Sequence, residues 1–175
     1  MKKFVLNVPN TLTILRFLLS PVFFVFLLKD KLDLALITFM FVAVTDFADG
    51  WIARFAKQET YFGRTLDPLA DKFMIFLAVI ALAKNFAFPF WAIPLILSRD
   101  FVSILGLALF SKRMKEWKVY FLGKLTTFLQ VITVLAFIVS LEYKEIILWL
   151  TLAISVITAV VYLTRGAKEF FSPKQ

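Results

Sequence analysis

Four aspartates are the residues of this chain whose type and spacing could do chemistry. They lie inside or at the ends of two apolar segments: Asp46, Asp49, Asp67 and Asp71. An ionised side chain at the centre of a membrane helix costs about 2.5–3.5 kcal/mol on insertion scales, so each needs a cation or a wet cavity. The 175-residue chain contains no cysteine and no histidine. Carboxylates are therefore the strong metal ligands that remain, and they suit hard cations such as Mg²⁺, Mn²⁺ or Ca²⁺.

Helical periodicity would bring these aspartates onto two faces. At about 100° per residue, Asp46 and Asp49 share one side of a helix with small residues, and Asp67 and Asp71 share a similar side of the next. Small residues let a backbone or a ligand approach closely. Two such faces set opposite each other predict a carboxylate cage that two divalent cations would neutralise. Paired metals of this kind recur where displacement occurs at phosphorus.

A structural interpretation of the same residues stays open at this point. The small residues could serve helix packing, and the aspartates could pair with nearby arginines and lysines. Asp67-Pro68 is also typical of a helix start, with an N-cap followed by proline at the first helical position.

Composition defines the elements that must position the aspartates. Hydrophobic residues make up 61% of the chain, against roughly 45–50% in soluble domains. A soluble domain of this length could not bury so much apolar surface, which excludes a soluble enzyme as well as a disordered chain. We predict an all-α polytopic membrane protein, one domain over residues 1–175 with a short N-terminal interfacial segment. Six segments are long and apolar enough to span a bilayer: 11–28, 33–55, 67–87, 89–110, 120–140 and 145–164.

Charge predicts how these segments are oriented. Net charge is +8, and most lysines and arginines fall on the side of both termini, the second loop and the fourth loop. Basic loops stay cytoplasmic, so both termini are predicted in the cytoplasm and the chain in the inner membrane. The excess of positive charge therefore sets topology, and no nucleic-acid partner is expected.

The aspartates belong to a longer pattern that resembles a known signature. All eight fixed positions of D-x₂-D-G-x₂-A-R-x₈-G-x₃-D-x₃-D, the motif of the CDP-alcohol phosphatidyltransferase family, are matched within residues 46–71. The resemblance implies transfer of a phosphatidyl group from a CDP-linked lipid to an alcohol, with release of CMP. It also implies two divalent ions, Mg²⁺ or Mn²⁺, and a homodimer.

The resemblance also assigns roles to individual residues. Asp46, Asp49 and Asp67 are implied metal ligands, and Asp71 is an implied ligand and general base. Arg54 would meet the diphosphate, since a guanidinium fork suits phosphate oxygens. The residues implied to bind the CDP-lipid are Asn10, Thr13, Asp46, Asp49, Gly50, Ala53, Arg54, Thr60 and Gly63.

The acceptor alcohol is indicated by the N-terminal segment. Pro9-Asn10-Thr11-Leu12-Thr13 followed by Arg16 resembles the opening of the family's phosphatidylglycerophosphate synthases, which implies CDP-diacylglycerol and glycerol 3-phosphate as substrates. We predict that Arg16, Arg99 and Lys124 hold the acceptor's phosphate, because an arginine inside a membrane segment is a functional candidate. The Gly123-Lys124 pair lacks the second lysine that such synthases often carry, and Thr126 stands there.

Other interpretations remain for these residues and for the function. Asn10 and Thr13 could cap the first helix while Arg16 snorkels to the interface. Arg99 could form a structural pair with Asp100. The same chemistry could use inositol phosphate, phosphatidylglycerol or serine as the acceptor. A divalent-cation transporter is the alternative from another class, although a cation path gains nothing from a fixed Arg54 beside the acids.

Overall fold

A computed structural model describes residues 8–56, 61–110 and 121–171 of the chain. These residues form helices joined by short turns, and no strand occurs among them. The helices are α1 (Val8–Leu28), α2 (Leu32–Ala56), α3 (Tyr61–Asn85), α4 (Ala92–Ile96), α5 (Ser98–Phe110), α6 (Phe121–Ile138) and α7 (Lys144–Phe171). The all-α prediction is confirmed for this part of the chain.

The chain divides into two compact units, an N-terminal unit (Met1–Ala87) and a C-terminal unit (Phe88–Gln175). In the N-terminal unit α1 packs against both α2 and α3. Aromatic rings join these helices: Phe23 meets Phe39 with centroids 5.4 Å apart, and Phe17 stacks on Phe73 at 4.8 Å. Such pairs add about 0.5–1.5 kcal/mol to the burial of their surface. The helix α1 therefore holds in place the two helices that carry the aspartate motif.

The end of α1 is closed by a hydrogen-bonded turn and by a side chain from α3. Lys31 N–H donates to Phe26 O at 3.0 Å and Asp30 N–H to Leu27 O at 3.2 Å, with Asp30 at φ 52°. This is the Schellman pattern, which satisfies carbonyls that have no partner within the helix. Asn85 Nδ2 donates to Leu27 O at 3.2 Å and Leu28 O at 3.1 Å. The last residue of α3 thus fixes the end of α1.

In the C-terminal unit α7 packs against α4, α5 and α6. A row of hydroxyl groups, here called the α6–α7 seam, joins the last two helices. Thr126 and Thr158 hydroxyls lie 3.1 Å apart, and those of Thr133 and Thr151 lie 2.7 Å apart. All four threonines are fully buried. Between apolar helices such hydrogen bonds fix which faces pair, because the alternative is a hydroxyl in hydrocarbon.

Three helices of the described residues are long and apolar enough to cross a membrane: Thr11–Leu28, Phe121–Ile138 and Lys144–Thr164. They coincide with the first, fifth and sixth predicted spans. The second and third predicted spans are also helical, as α2 and α3, and a shorter apolar stretch covers Leu32–Thr45. The count of six spans stays a prediction.

Three boundaries differ from those expected from sequence. The segment 89–110 was expected to be one helix, but it is divided into α4 and α5 at Leu97, where φ is −90° and ψ is −5°. The helix α3 begins at Tyr61, so Asp67-Pro68 lies inside a helix and not at its start. The helix α1 begins at Val8, which places Asn10 and Thr13 beyond its N-cap. The capping interpretation of these residues is therefore wrong.

Candidate active site

The aspartate motif lies on two helices of the N-terminal unit. Asp46 and Asp49 are in α2, three residues apart, and Asp67 and Asp71 are in α3, four residues apart. Because both segments are continuous α-helix, each pair shares one face by helical register. The side chains of all four aspartates lie outside the described residues. The carboxylate cage therefore stays a prediction.

The remaining motif residues are placed only in part. Gly50, Ala53 and Arg54 lie in the last turns of α2, and Gly63 lies in the first turn of α3. Thr60 falls between these helices and lies outside the described residues, as does the side chain of Asn10. The helices α2 and α3 thus place the motif's two halves on either side of one short connection, residues 57–60.

The donor set fits hard divalent cations. Four carboxylates on two helices offer oxygen ligands, which Mg²⁺ and Mn²⁺ prefer over nitrogen or sulfur. Among the side chains that the structure describes, no group of three or more histidine, cysteine, aspartate or glutamate residues could hold a metal ion. A metal site at the motif therefore stays a prediction.

Arg16 and Thr13 lie on α1 inside the N-terminal unit. Arg16 is 2% exposed, Thr13 is 1% exposed, and both are enclosed by protein. An arginine that snorkels to the interface would keep its charged head in water. The structural interpretation of Arg16 as an interface anchor is therefore wrong.

Arg99 lies in the C-terminal unit within a buried polar group that we call the Arg99 cluster: Arg99, Asp100, Thr127, Gln130 and Tyr162. Arg99 is 7% exposed and Asp100 4% exposed, in the first turn of α5. Arg99 Nη1 donates to Asp100 Oδ1 at 2.8 Å and to Thr127 Oγ1 at 3.3 Å. The guanidinium also lies over the Tyr162 ring, 5.7 Å from its centroid. The pair with Asp100 is thus present, embedded in contacts from α6 and α7.

Gln130 is a member of the cluster that sequence reasoning missed. Its Nε2 donates to Asp100 Oδ2 at 2.7 Å and to Ile96 O at 2.8 Å. The second bond uses the carbonyl at the break between α4 and α5. The available signal was an amide in the middle of an apolar helix, because such side chains pair across helices in membranes.

Gly123 and Lys124 open α6 beside this cluster. A Cβ on Gly123 would collide with the Tyr162 hydroxyl and would lie 2.7 Å from Arg99 Nη2. Only glycine leaves room for these two groups against the helix backbone. Lys124, the next residue, is exposed. Thr126 stands where the family's phosphatidylglycerophosphate synthases often have a second lysine, and it is buried in the α6–α7 seam with Thr158.

The comparison with known families covers both units. Residues 6–157 match the model of the CDP-alcohol phosphatidyltransferase family. The chain belongs to this family. The match includes the aspartate motif and every residue of the Arg99 cluster except Tyr162.

Individual relatives of this phosphatidyltransferase are similar over most of its length. A CDP-diacylglycerol–glycerol-3-phosphate 3-phosphatidyltransferase of Bacillus subtilis (strain 168) is 30% identical, covering 91% of this chain and 95% of its own. A protein of the same name from Rickettsia felis is 34% identical, covering 94% and 97%. One from Aquifex aeolicus (strain VF5) is 36% identical, covering 70% of each chain. The chain is therefore an enzyme of this family, and its apolar helices make it an integral membrane protein.

Proposed function

We propose that this phosphatidyltransferase transfers the phosphatidyl group of CDP-diacylglycerol to sn-glycerol 3-phosphate, giving phosphatidylglycerophosphate and CMP in phospholipid biosynthesis. The observation that carries the acceptor is the set of relatives named for that activity, which align over nearly the whole chain. The buried Arg99 and Lys124, the residue after Gly123, offer cationic hydrogen-bond donors to a phosphorylated acceptor.

In the proposed reaction the acceptor hydroxyl oxygen attacks the phosphorus that bears the diacylglycerol. The bond between this phosphorus and the oxygen of CMP breaks as the new bond forms, and the hydroxyl proton passes to the Asp71 carboxylate. Arg54 contacts the diphosphate through its guanidinium. Gly50, Ala53 and Gly63 leave room for the cytidine nucleotide.

We assign two divalent cations, Mg²⁺ or Mn²⁺, to Asp46, Asp49, Asp67 and Asp71. When bound, they supply positive charge that stabilises the attacking and leaving oxygens together. The continuous helical register of each aspartate pair supports this assignment.

We also propose a finer picture of the protein in its membrane. The chain crosses the inner membrane six times, keeps both termini in the cytoplasm and functions as a homodimer surrounded by lipid. The three long apolar helices and the excess of basic residues near the termini support the crossing pattern and the orientation.

An acceptor panel tests the proposed function. Purified protein receives radiolabelled CDP-diacylglycerol, Mn²⁺ and one acceptor at a time: glycerol 3-phosphate, inositol phosphate, phosphatidylglycerol or serine. We expect lipid product and stoichiometric CMP with glycerol 3-phosphate. Product with another acceptor alone would overturn the acceptor assignment. Absence of CMP release with every acceptor would favour a cation transporter.

A further inference from the structure

The guanidinium of Arg99 is held at one corner by two side chains, Asp100 and Thr127, and Gln130 in turn holds Asp100. We propose that Asp100, Thr127 and Gln130 are positioning residues that fix the orientation of Arg99 for binding the acceptor's phosphate. This inference rests on the proposed function, because it requires a phosphorylated acceptor. Its observations, however, all lie within the C-terminal unit and concern the Arg99 cluster alone.

The corner of the guanidinium that the protein holds is Nη1 of Arg99. Nη1 donates to Asp100 Oδ1 at 2.8 Å and to Thr127 Oγ1 at 3.3 Å, so both of its hydrogens are engaged. Asp100 and Thr127 come from different helices, α5 and α6, and their combined contacts restrict rotation of the planar group. A guanidinium presents its donors in a rigid fork, so fixing one corner fixes the direction of the others.

The other two nitrogens of the Arg99 guanidinium are Nε and Nη2. Nε of Arg99 is buried and has no hydrogen-bond partner within the described ranges 8–56, 61–110 and 121–171. Nη2 lies 2.7 Å from the position that a Cβ on Gly123 would take, and Lys124 is the next residue of the chain. Nη2 therefore packs against the start of α6. A buried donor without a partner costs about 1–3 kcal/mol, which an anionic ligand would recover.

Gln130 does not touch Arg99 in any described contact. Its amide holds Asp100 Oδ2 at 2.7 Å, leaving Oδ1 to Arg99. Without this amide Asp100 Oδ2 would lose a bond that holds it away from Arg99, and the carboxylate could rotate toward a bidentate contact with the guanidinium. That rearrangement would turn the fork away from Gly123. Gln130 thus acts on Arg99 through Asp100.

The test is a double-mutant cycle on the full-length enzyme in detergent, with KM measured separately for each substrate. Gln130→Met preserves side-chain volume and removes both amide donors. We expect its KM for glycerol 3-phosphate to rise roughly three- to thirtyfold, in line with a lost bond to a charged group. The KM for CDP-diacylglycerol should not change. In the Arg99→Gln background, Gln130→Met should add no further increase, because the two residues act as one unit.

A matched control lies on the same face of α6. Thr133→Val removes the hydrogen bond to Thr151 in the α6–α7 seam; Thr133 is equally buried, and its described hydrogen bonds lie outside the Arg99 cluster. It should leave the KM for glycerol 3-phosphate unchanged. If Thr133→Val raises this KM as much as Gln130→Met does, the effect is one of helix packing and the inference is wrong.

The outcomes separate this inference from the proposed function. Wild-type enzyme that ignores glycerol 3-phosphate would overturn both. Wild-type turnover with an unchanged KM in Gln130→Met, or an additive effect with Arg99→Gln, would overturn only the positioning role. If Gln130→Met does not fold, Thr127→Val decides instead: it removes the second acceptor of Nη1, and its KM for glycerol 3-phosphate should rise roughly two- to fivefold. An unchanged KM in that variant would contradict the inference.

Discussion

At the scale of single residues, the charges of this enzyme fall into two groups. Arg99 forms an ion pair with Asp100 inside the protein, Thr127 accepts a further bond from Arg99, and Gln130 donates to Asp100. The motif of residues 46–71 instead contains four aspartates on two successive helices. We predict that these carboxylates are neutralised by cations from outside the chain. The first group therefore shapes a site, and the second is expected to bind ions.

Removing one carboxylate of the motif should abolish turnover. We expect Asp46→Asn, Asp49→Asn and Asp67→Asn each to lower kcat roughly 10²–10³-fold with Mg²⁺ or Mn²⁺, as does loss of one contact to a developing charge. The measurement is CMP release, with the unfolding midpoint as a check of the fold. Asp33→Asn in the first turn of α2 is the matched control and should keep full activity. Near-normal turnover in the motif variants would contradict the metal assignment.

Replacing Arg99 should affect one substrate selectively. Arg99→Gln removes the bidentate donor and should lower kcat/KM for glycerol 3-phosphate roughly ten- to a hundredfold. The KM for CDP-diacylglycerol should stay close to that of the wild type. Lys84→Gln, an exposed lysine of the N-terminal unit, is the control. If Arg99→Gln weakens CDP-diacylglycerol instead, the arginine serves the other substrate.

Only part of the Arg99 cluster was predictable from the sequence. The pair of Arg99 and Asp100 was predictable as a possibility because the two residues are adjacent. Gln130 and Tyr162 were not predictable as their partners, because they lie 30 or more positions away and meet Arg99 and Asp100 only after helices pack. The signature motif needed no tertiary information, since its spacing follows from helical register alone.

At the scale of elements, the ends of helices are fixed by specific contacts as well as by apolar length. Both α1 and α6 end in a Schellman pattern with a residue other than glycine at positive φ, Asp30 at 52° and Ser140 at 51°. Apolar runs predicted the ends of α1 and α6 within about two residues. Apolar runs could not predict the break at Leu97. The carbonyl of the preceding residue, Ile96, accepts a hydrogen bond from Gln130 of another helix, and this contact forms only when the helices pack.

The contact between the ends of α3 and α1 predicts a stability effect. Asn85→Ala removes donors to Leu27 O and Leu28 O, leaving carbonyls of α1 without that partner. We expect the free energy of unfolding to fall by about 0.5–1.5 kcal/mol, the usual net contribution of an intramolecular hydrogen bond. Thermal unfolding in detergent measures it. Lys84→Ala, the exposed neighbour, should have little effect, and an equal loss in both variants would contradict the role of Asn85.

At the scale of the whole molecule, the distribution of basic residues is expected to set orientation. Helices long and apolar enough to cross a membrane occur in both units, one in the N-terminal unit and two in the C-terminal unit among the described residues. Lysines and arginines on the side of the termini outnumber those in the other loops. Retention of basic loops in the cytoplasm then determines which end of each helix faces which compartment.

Cysteine labelling tests this orientation directly, because the natural chain has no cysteine. Single variants Lys31→Cys and Lys115→Cys report on the first and fourth loops. In intact cells or spheroplasts, a membrane-impermeant maleimide should label only Lys31→Cys, and Lys115→Cys should react after permeabilisation. A C-terminal fluorescent reporter should be bright in the cytoplasm. Labelling of Lys115→Cys from outside would contradict the six-span topology.

The paired hydroxyls of α6 and α7 have a consequence for how the chain is made. During synthesis α6 emerges before α7, and its buried hydroxyls on Thr126 and Thr133 have not yet met their partners on that helix. Lipid offers such groups no hydrogen bond. Only five residues separate Ile138 from Lys144, so the two helices are expected to leave the translocation channel together as a hairpin. Ribosome-bound chains truncated before Lys144 should therefore remain cross-linkable to the channel through α6.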